Sequence, residues 1–116
     1  MEKKATIQEL NLELIRRASF NNFDGERVAE DLLANQILWQ GVVMDRGAYG
    51  KDIDLIKLRD IADNYWNVDT LFILAAEGKE EELMDLAKSW DANEVNWMIK
   101  PNLGGGDGKV LSVWWD

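Results

Sequence analysis

The sequence predicts an α/β (α+β) fold in which N-terminal helices pack on a small three-stranded sheet built by a C-terminal β-α-β-β unit. Three observations carry this. Up to residue 66, apolar side chains recur at helical spacing behind recognisable cap residues. From residue 69 the period changes: a continuous apolar run is followed by a charged amphipathic stretch and then by two alternating segments. No repeat, low-complexity tract or long linker interrupts the 116 residues, so one compact domain is expected over 1–116, mainly helical over 1–66 and β-α-β-β over 69–116.

Thr6 followed by Glu9 has capping-box spacing, and Ile7, Leu10, Leu14 and Ile15 then mark the expected buried stripe of a helix over 7–19. FNNFDGE breaks it, because Asn and Gly favour turns. Asp24 can cap a second helix over 25–40, where Val28, Leu32, Asn35 and Trp39 follow one line. Ala29, Leu33 and Ile37 widen that line into a broad buried face. GVVMDRGAYGKD reads as an irregular connection holding a short extended piece at Val42–Met44. Asp52 or Asp54 can cap a third helix over 54–66, with Leu55, Leu58, Ile61, Ala62 and Tyr65 as its apolar stripe.

TLFILAA reads as a strand covered on both faces. In KEEELMDLAKSW, Glu80, Glu81 and Glu82 open a helix and Lys88 closes it, each matching the helix dipole, and Leu83, Leu86, Ala87 and Trp90 form the apolar face. EVNWMI alternates, with Val95, Trp97 and Ile99 on one side and Asn96 and Met98 on the other, and Pro101 ends it. KVLSVWW places Leu111, Val113 and Trp115 opposite Val110, Ser112 and Trp114. A right-handed crossover would make the first two C-terminal strands parallel, and the last strand would fill the gap between them in the order 1-3-2.

The charge pattern narrows function. The chain carries 22 acidic and 13 basic residues, a formal net charge of −9, and the deficit lies beyond residue 20. Such a body repels a phosphate backbone, so direct nucleic-acid binding is not expected and a basic protein partner is favoured. With no cysteine and no histidine, disulfides, thiolate metal sites and a histidine base are all excluded. The opening MEKKATIQEL has no apolar signal region, and no window approaches the roughly 18 apolar residues of a membrane span. A cytoplasmic protein, not bound to a membrane, is expected.

The run Gly104-Gly105-Gly106-Asp107-Gly108-Lys109 invites comparison with a phosphate-binding loop. The pattern fails. Leu103 stands where the first glycine belongs, Val110 follows the lysine in place of Ser or Thr, and a strand rather than a helix comes next. A glycine-rich hairpin loop accounts for it. The carboxylate pairs Glu9/Glu13 and Glu26/Glu30 sit one helical turn apart, the usual arrangement of a solvated helix face. Asp52 and Asp54, or Asp63, Asn67 and Asp69, lack the central glycine and terminal glutamate of a calcium loop. Ser19, Ser89 and Ser112 have no glycine elbow around them. No cofactor, metal or catalytic residue is therefore expected.

The tryptophans say more. Trp39, Trp66 and Trp90 suit core packing, whereas Trp114 and Trp115 are adjacent on a strand and must point to opposite faces. Both are enclosed only if helices cover both faces of the sheet. With one layer of helices, Trp114 reaches solvent beside Met98 or Val110. The expectation is a small acidic protein-binding module without catalysis, acting by self-association as a homodimer or on a basic protein partner. Its candidate contact residues are Trp114, Met98, Tyr49, Gly105 and Asp107. Two alternatives come from other classes. One is an inhibitor or immunity-type protein presenting an acidic face, formed by Asp24, Glu26, Glu30 and Asp31 or by Glu80–Glu82 with Asp85. The other is a small-molecule binder or enzyme with a pocket near Tyr49, Tyr65 and Trp66.

Overall fold

The computed structural model of the chain describes residues 4–46, 55–66, 68–98 and 109–116. Its elements are α1 (Ile7–Arg17), β1 (Ser19–Phe20), β2 (Phe23–Asp24), α2 (Gly25–Ala34), a 3-10 turn (Gln36–Leu38), β3 (Trp39–Asp45), α3 (Leu55–Ala62), β4 (Thr70–Ala75), α4 (Glu80–Lys88), β5 (Glu94–Trp97) and β6 (Val110–Trp114). Helices and strands mix as α+β, with one two-stranded and one four-stranded sheet.

α1 begins at the capping box. Glu9 N–H donates to Thr6 Oγ1 at 3.0 Å, and Thr6 N–H donates to Glu9 Oε1 at 2.8 Å. Its buried face matches the expected one only at Ile15: Ile15 and Leu12 are enclosed, while Ile7, Leu10 and Leu14 are exposed. The cause lies at Gln8. Its side-chain amide donates to Val42 O at 2.8 Å and accepts from Val42 N–H at 2.9 Å, so it stands in for a neighbouring strand at the outer edge of β3. That bond turns residues 8, 12 and 15 toward the sheet and leaves 7, 10 and 14 outside.

FNNF makes the hairpin β1–β2, with Ser19 opposite Asp24 and Phe20 opposite Phe23. Asn21 takes the positive φ of 48° that the tight turn requires. The turn then drives Gly25 into the end of α1, where Gly25 N–H donates to Ala18 O at 3.1 Å. A Cβ at Gly25 would lie 2.0 Å from Ile15 O and 2.1 Å from Ala18 O. No larger residue fits between these backbones.

α2 stops at Ala34 instead of continuing to residue 40. Asn35 leaves helical geometry (φ −129°, ψ 41°), and its side chain donates to Asp31 O at 2.8 Å. Trp39 therefore opens a strand. It still meets Leu32, but through its indole N–H, which donates to Leu32 O at 2.9 Å. Leu33 and Ile37, expected to be buried, are exposed.

The segment read as an irregular connection supplies a whole strand. β3 pairs antiparallel with β4 from Asp45↔Thr70 to Trp39↔Ala75, with a register shift between Trp39 and Gly41. The sheet thus has four strands in place of the expected three, in the order β3-β4-β6-β5, and β6 lies antiparallel between β4 and β5. Val42, Ile73, Leu111 and Trp97 form one row across it, and Met44, Leu71, Val113 and Val95 the next. This inner face carries the core with Leu12 and Ile15 of α1, Val28, Ala29 and Leu32 of α2, and Leu83 and Ala87 of α4.

α3 ends at Ala62, short of residue 66, because Asn64 takes a φ of 61° and Tyr65 N–H folds back onto Asp60 O at 2.7 Å. Its expected stripe is not a core stripe: Leu58 and Ile61 are exposed, as is Tyr65 beyond the helix end. The caps expected at Asp52 or Asp54 lie outside the described residues. α4 matches its pattern, with Leu83, Ala87 and Trp90 enclosed and Leu86 half-buried. Among the described residues no helix is long and apolar enough to cross a membrane.

Candidate partner-binding surfaces

The two adjacent tryptophans do part to opposite faces. Trp115 is 1% exposed. Its ring lies 4.5 Å from that of Phe23, and its indole N–H donates to Trp90 O at 3.0 Å. Trp114, on the outer face, is half-buried, and its Nε1 is enclosed with no partner among the described residues. What water reaches of Trp114 is therefore the hydrocarbon part of the indole.

Register fixes its neighbours. Thr70 on β4 and Glu94 on β5 flank Trp114 directly, and Asp45 on β3 continues the row beyond Thr70. Facing residues on neighbouring strands place their Cβ atoms about 5 Å apart, so Glu94 is a direct cross-strand neighbour of Trp114 on this face. Glu94 and Asp45 are exposed; Thr70 is buried and its hydroxyl donates to Asp69 Oδ1 at 2.7 Å. Farther along the same face lie Val43, Phe72, Leu74 and Val110, with Ser112 and Asn96 between.

Met98 follows β5 and is held by its N–H, which donates to Val110 O at 2.9 Å. It shares the outer face with Trp114 by alternation and is 40% exposed. Four residues of strand separate Met98 from the level of Trp114, so the two lie about 13 Å apart along the face and do not touch. Tyr49, Gly105 and Asp107 lie outside the described residues.

A second surface lies beside Tyr65 and Trp66. The end of α1, the β1 hairpin and the residues around the end of α3 line an open cavity of about 650 Å³, apolar at Leu14, Phe20, Ile61, Tyr65 and Trp66 and polar at Ser19, Asn64 and Arg17. Arg17 is paired to Glu13 at 2.9 Å. The signal for this cavity was present in α1, which carries apolar residues over more of its circumference than one buried stripe needs. Tyr65 and Trp66, named for a small-molecule pocket, do line it.

Comparison with family models, curated proteins and solved structures gives no match. The surfaces must be weighed by their own chemistry.

The acidic face on α2 is largely engaged within the chain. Asp24 caps the helix by accepting from Arg27 N–H at 3.2 Å, and Asp31 accepts from the Trp90 indole at 2.8 Å. Glu30 pairs with Arg16, and that hydrogen bond pushes the Arg16 guanidinium up from its ordinary pKa. On α4, Glu82 lies 3.7 Å from Lys79, and Glu80 accepts from Gly78 N–H at 3.3 Å. Among the described residues no group of three or more carboxylates is placed to hold a metal ion.

Proposed function

We propose that this chain is a protein-binding module that captures a basic segment of a partner protein on the outer face of its sheet. One observation carries the reading: the accessible hydrocarbon ring of Trp114 lies in a row with Glu94, Thr70 and Asp45 on a sheet face that also carries Val43, Phe72 and Leu74. A cation over an indole gains from the ring's negative face, and a carboxylate beside it supplies a counter-charge. The net charge of −9 steers cationic partners toward the chain from a distance. Val43, Phe72, Leu74 and Met98 then offer apolar contact to the stems of lysine or arginine side chains.

The test is titration of a labelled oligo-arginine peptide, with oligo-glutamate of equal length as control. Wild type binds the cationic peptide only, and binding weakens as salt rises. Glu94→Gln and Trp114→Phe each weaken it by about fivefold or more. Asn96→Lys, an exposed change on the same face, weakens it too and guards against a folding artefact. Loss confined to the two charge variants points to unspecific attraction and overturns the reading, as does no binding at all.

A further inference from the structure

We infer that the exposed faces of α1 and α3 form a symmetric interface with a second copy of this chain. This is a different surface from the outer sheet face and does not rest on the capture of a basic segment.

The inference begins with helix geometry. At about 100° per residue, Ile7, Leu10 and Leu14 fall within roughly 60° of one another on α1. Leu12 and Ile15, which face the core, lie on a separate arc. The outer stripe is 78%, 52% and 43% exposed at Ile7, Leu10 and Leu14. On α3, Leu58 and Ile61 are one turn apart and 60% and 59% exposed, and Tyr65 beyond them is 51% exposed. Leu14, Ile61 and Tyr65 line one cavity, so the two stripes converge on a single surface.

The size of that surface favours a full interface. The six side chains leave on the order of 600 Å² in water, at the upper end of the largest patch on a typical monomer. With the half-buried rings of Phe20 and Trp66 below them, it approaches the roughly 800 Å² that each partner buries in a standard complex.

Shape and charge select the occupant. The surface holds both a groove, the cavity lined by Leu14 and Ile61, and the exposed side chains of Ile7 and Leu10, which make a ridge one to two turns away on the same helix. A two-fold axis passing between ridge and groove seats the ridge of each copy in the groove of the other, which is the self-complementarity an isologous dimer requires. Among the described residues no carboxylate lines the groove. The charge that lines it, Arg17, is already paired to Glu13 at 2.9 Å, so two copies meet there without opposing unpaired like charges. A basic partner would find no counter-charge inside this groove. A second apolar surface of the same shape fits it.

Salt gives the interface a signature of its own. Two chains of net charge −9 repel one another, so screening should tighten the dimer while loosening any complex with a cationic peptide.

Sedimentation equilibrium over a concentration series at low and high salt tests this. Wild type should dimerise, more tightly at high salt. Leu10→Glu and Ile61→Glu, both at exposed positions that folding tolerates, should raise the dissociation constant about tenfold or more. Ile37→Glu, equally exposed but away from the groove, should leave the dimer intact, and so should Trp114→Phe. A wild-type chain that stays monomeric at every concentration overturns the inference, including the case in which the groove serves another protein or a small ligand. So does a dimer indifferent to Leu10→Glu and Ile61→Glu, or one that Ile37→Glu or Trp114→Phe dissolves.

Discussion

Indole nitrogens divide the tryptophans of this chain. Those of Trp39, Trp90 and Trp115 donate to Leu32 O, Asp31 Oδ2 and Trp90 O, so each ring is tied to a particular neighbour in the core. The bond from Trp90 to Asp31 spans 59 residues and fastens the end of α4 to α2. Asp31→Ala removes the acceptor and leaves that N–H unpaired at a cost of about 1–3 kcal/mol. Asp31→Asn keeps an oxygen in place and should cost clearly less. Urea denaturation followed by tryptophan fluorescence compares the two, and equal effects would show that the indole bond contributes nothing. Trp114 is the contrast, with an enclosed nitrogen that has no acceptor among the described residues. A polar group left so is uncommon in a folded interior, and here it belongs to the residue that the alternation of SVWW already set apart.

At the scale of elements, what decides the layout is where one backbone meets another. Gly25 joins the hairpin to α2 with the carbonyls of Ile15 and Ala18 against its Cα, whereas Gly78 sits in open space at a φ of 82°. Gly25→Ala should therefore cost about 2 kcal/mol or more through overlap with backbone that cannot move aside. Gly78→Ala should cost about 1–2 kcal/mol from its left-handed conformation alone. Thermal melts rank the two, and a Gly78→Ala loss equal to or above that of Gly25→Ala refutes this account of the joint. The capping box of α1, the acidic opening of α4 and the strand character of residues 70–75 and 110–114 were legible because each is written in neighbouring residues. β3 was not. Trp39, Val42 and Met44 gain strand geometry by pairing with residues more than 25 positions away, and an apolar WQGVVM preceded by helical spacing carries no local mark of that partner. The stripe of α1 was legible only at Ile15 for a similar reason: Ile7, Leu10 and Leu14 match helical spacing as well as Leu12 does, and the bond from Gln8 to Val42 chose between them.

Over the whole molecule, one contiguous core joins α1, α2, α4 and the inner sheet face, with no second cluster among the described residues. Elements sharing a single core should unfold together. In the monomeric Ile61→Glu background, tryptophan fluorescence and far-ultraviolet circular dichroism should give coincident transitions, and separated midpoints would contradict a single cooperative unit. The same scale sets the ionic-strength behaviour, because the charge of −9 belongs to the chain and not to any pair. Added salt should move the two proposed associations in opposite directions.

By itself the sequence determined what composition and local spacing can: an acidic α+β chain without cysteine or histidine, its main helix starts, and the parting of Trp114 from Trp115. Only the tertiary structure decided that the sheet has four strands, that Glu94 and Asp45 share a row with Trp114, and that Leu14, Ile61, Tyr65 and Trp66 surround one cavity. Strand register and helix rotation are set by contacts between distant segments. Apolar periodicity states that a face will be buried, but several faces of one helix can satisfy it, and the choice falls to whichever neighbour offers the matching hydrogen bonds and volume.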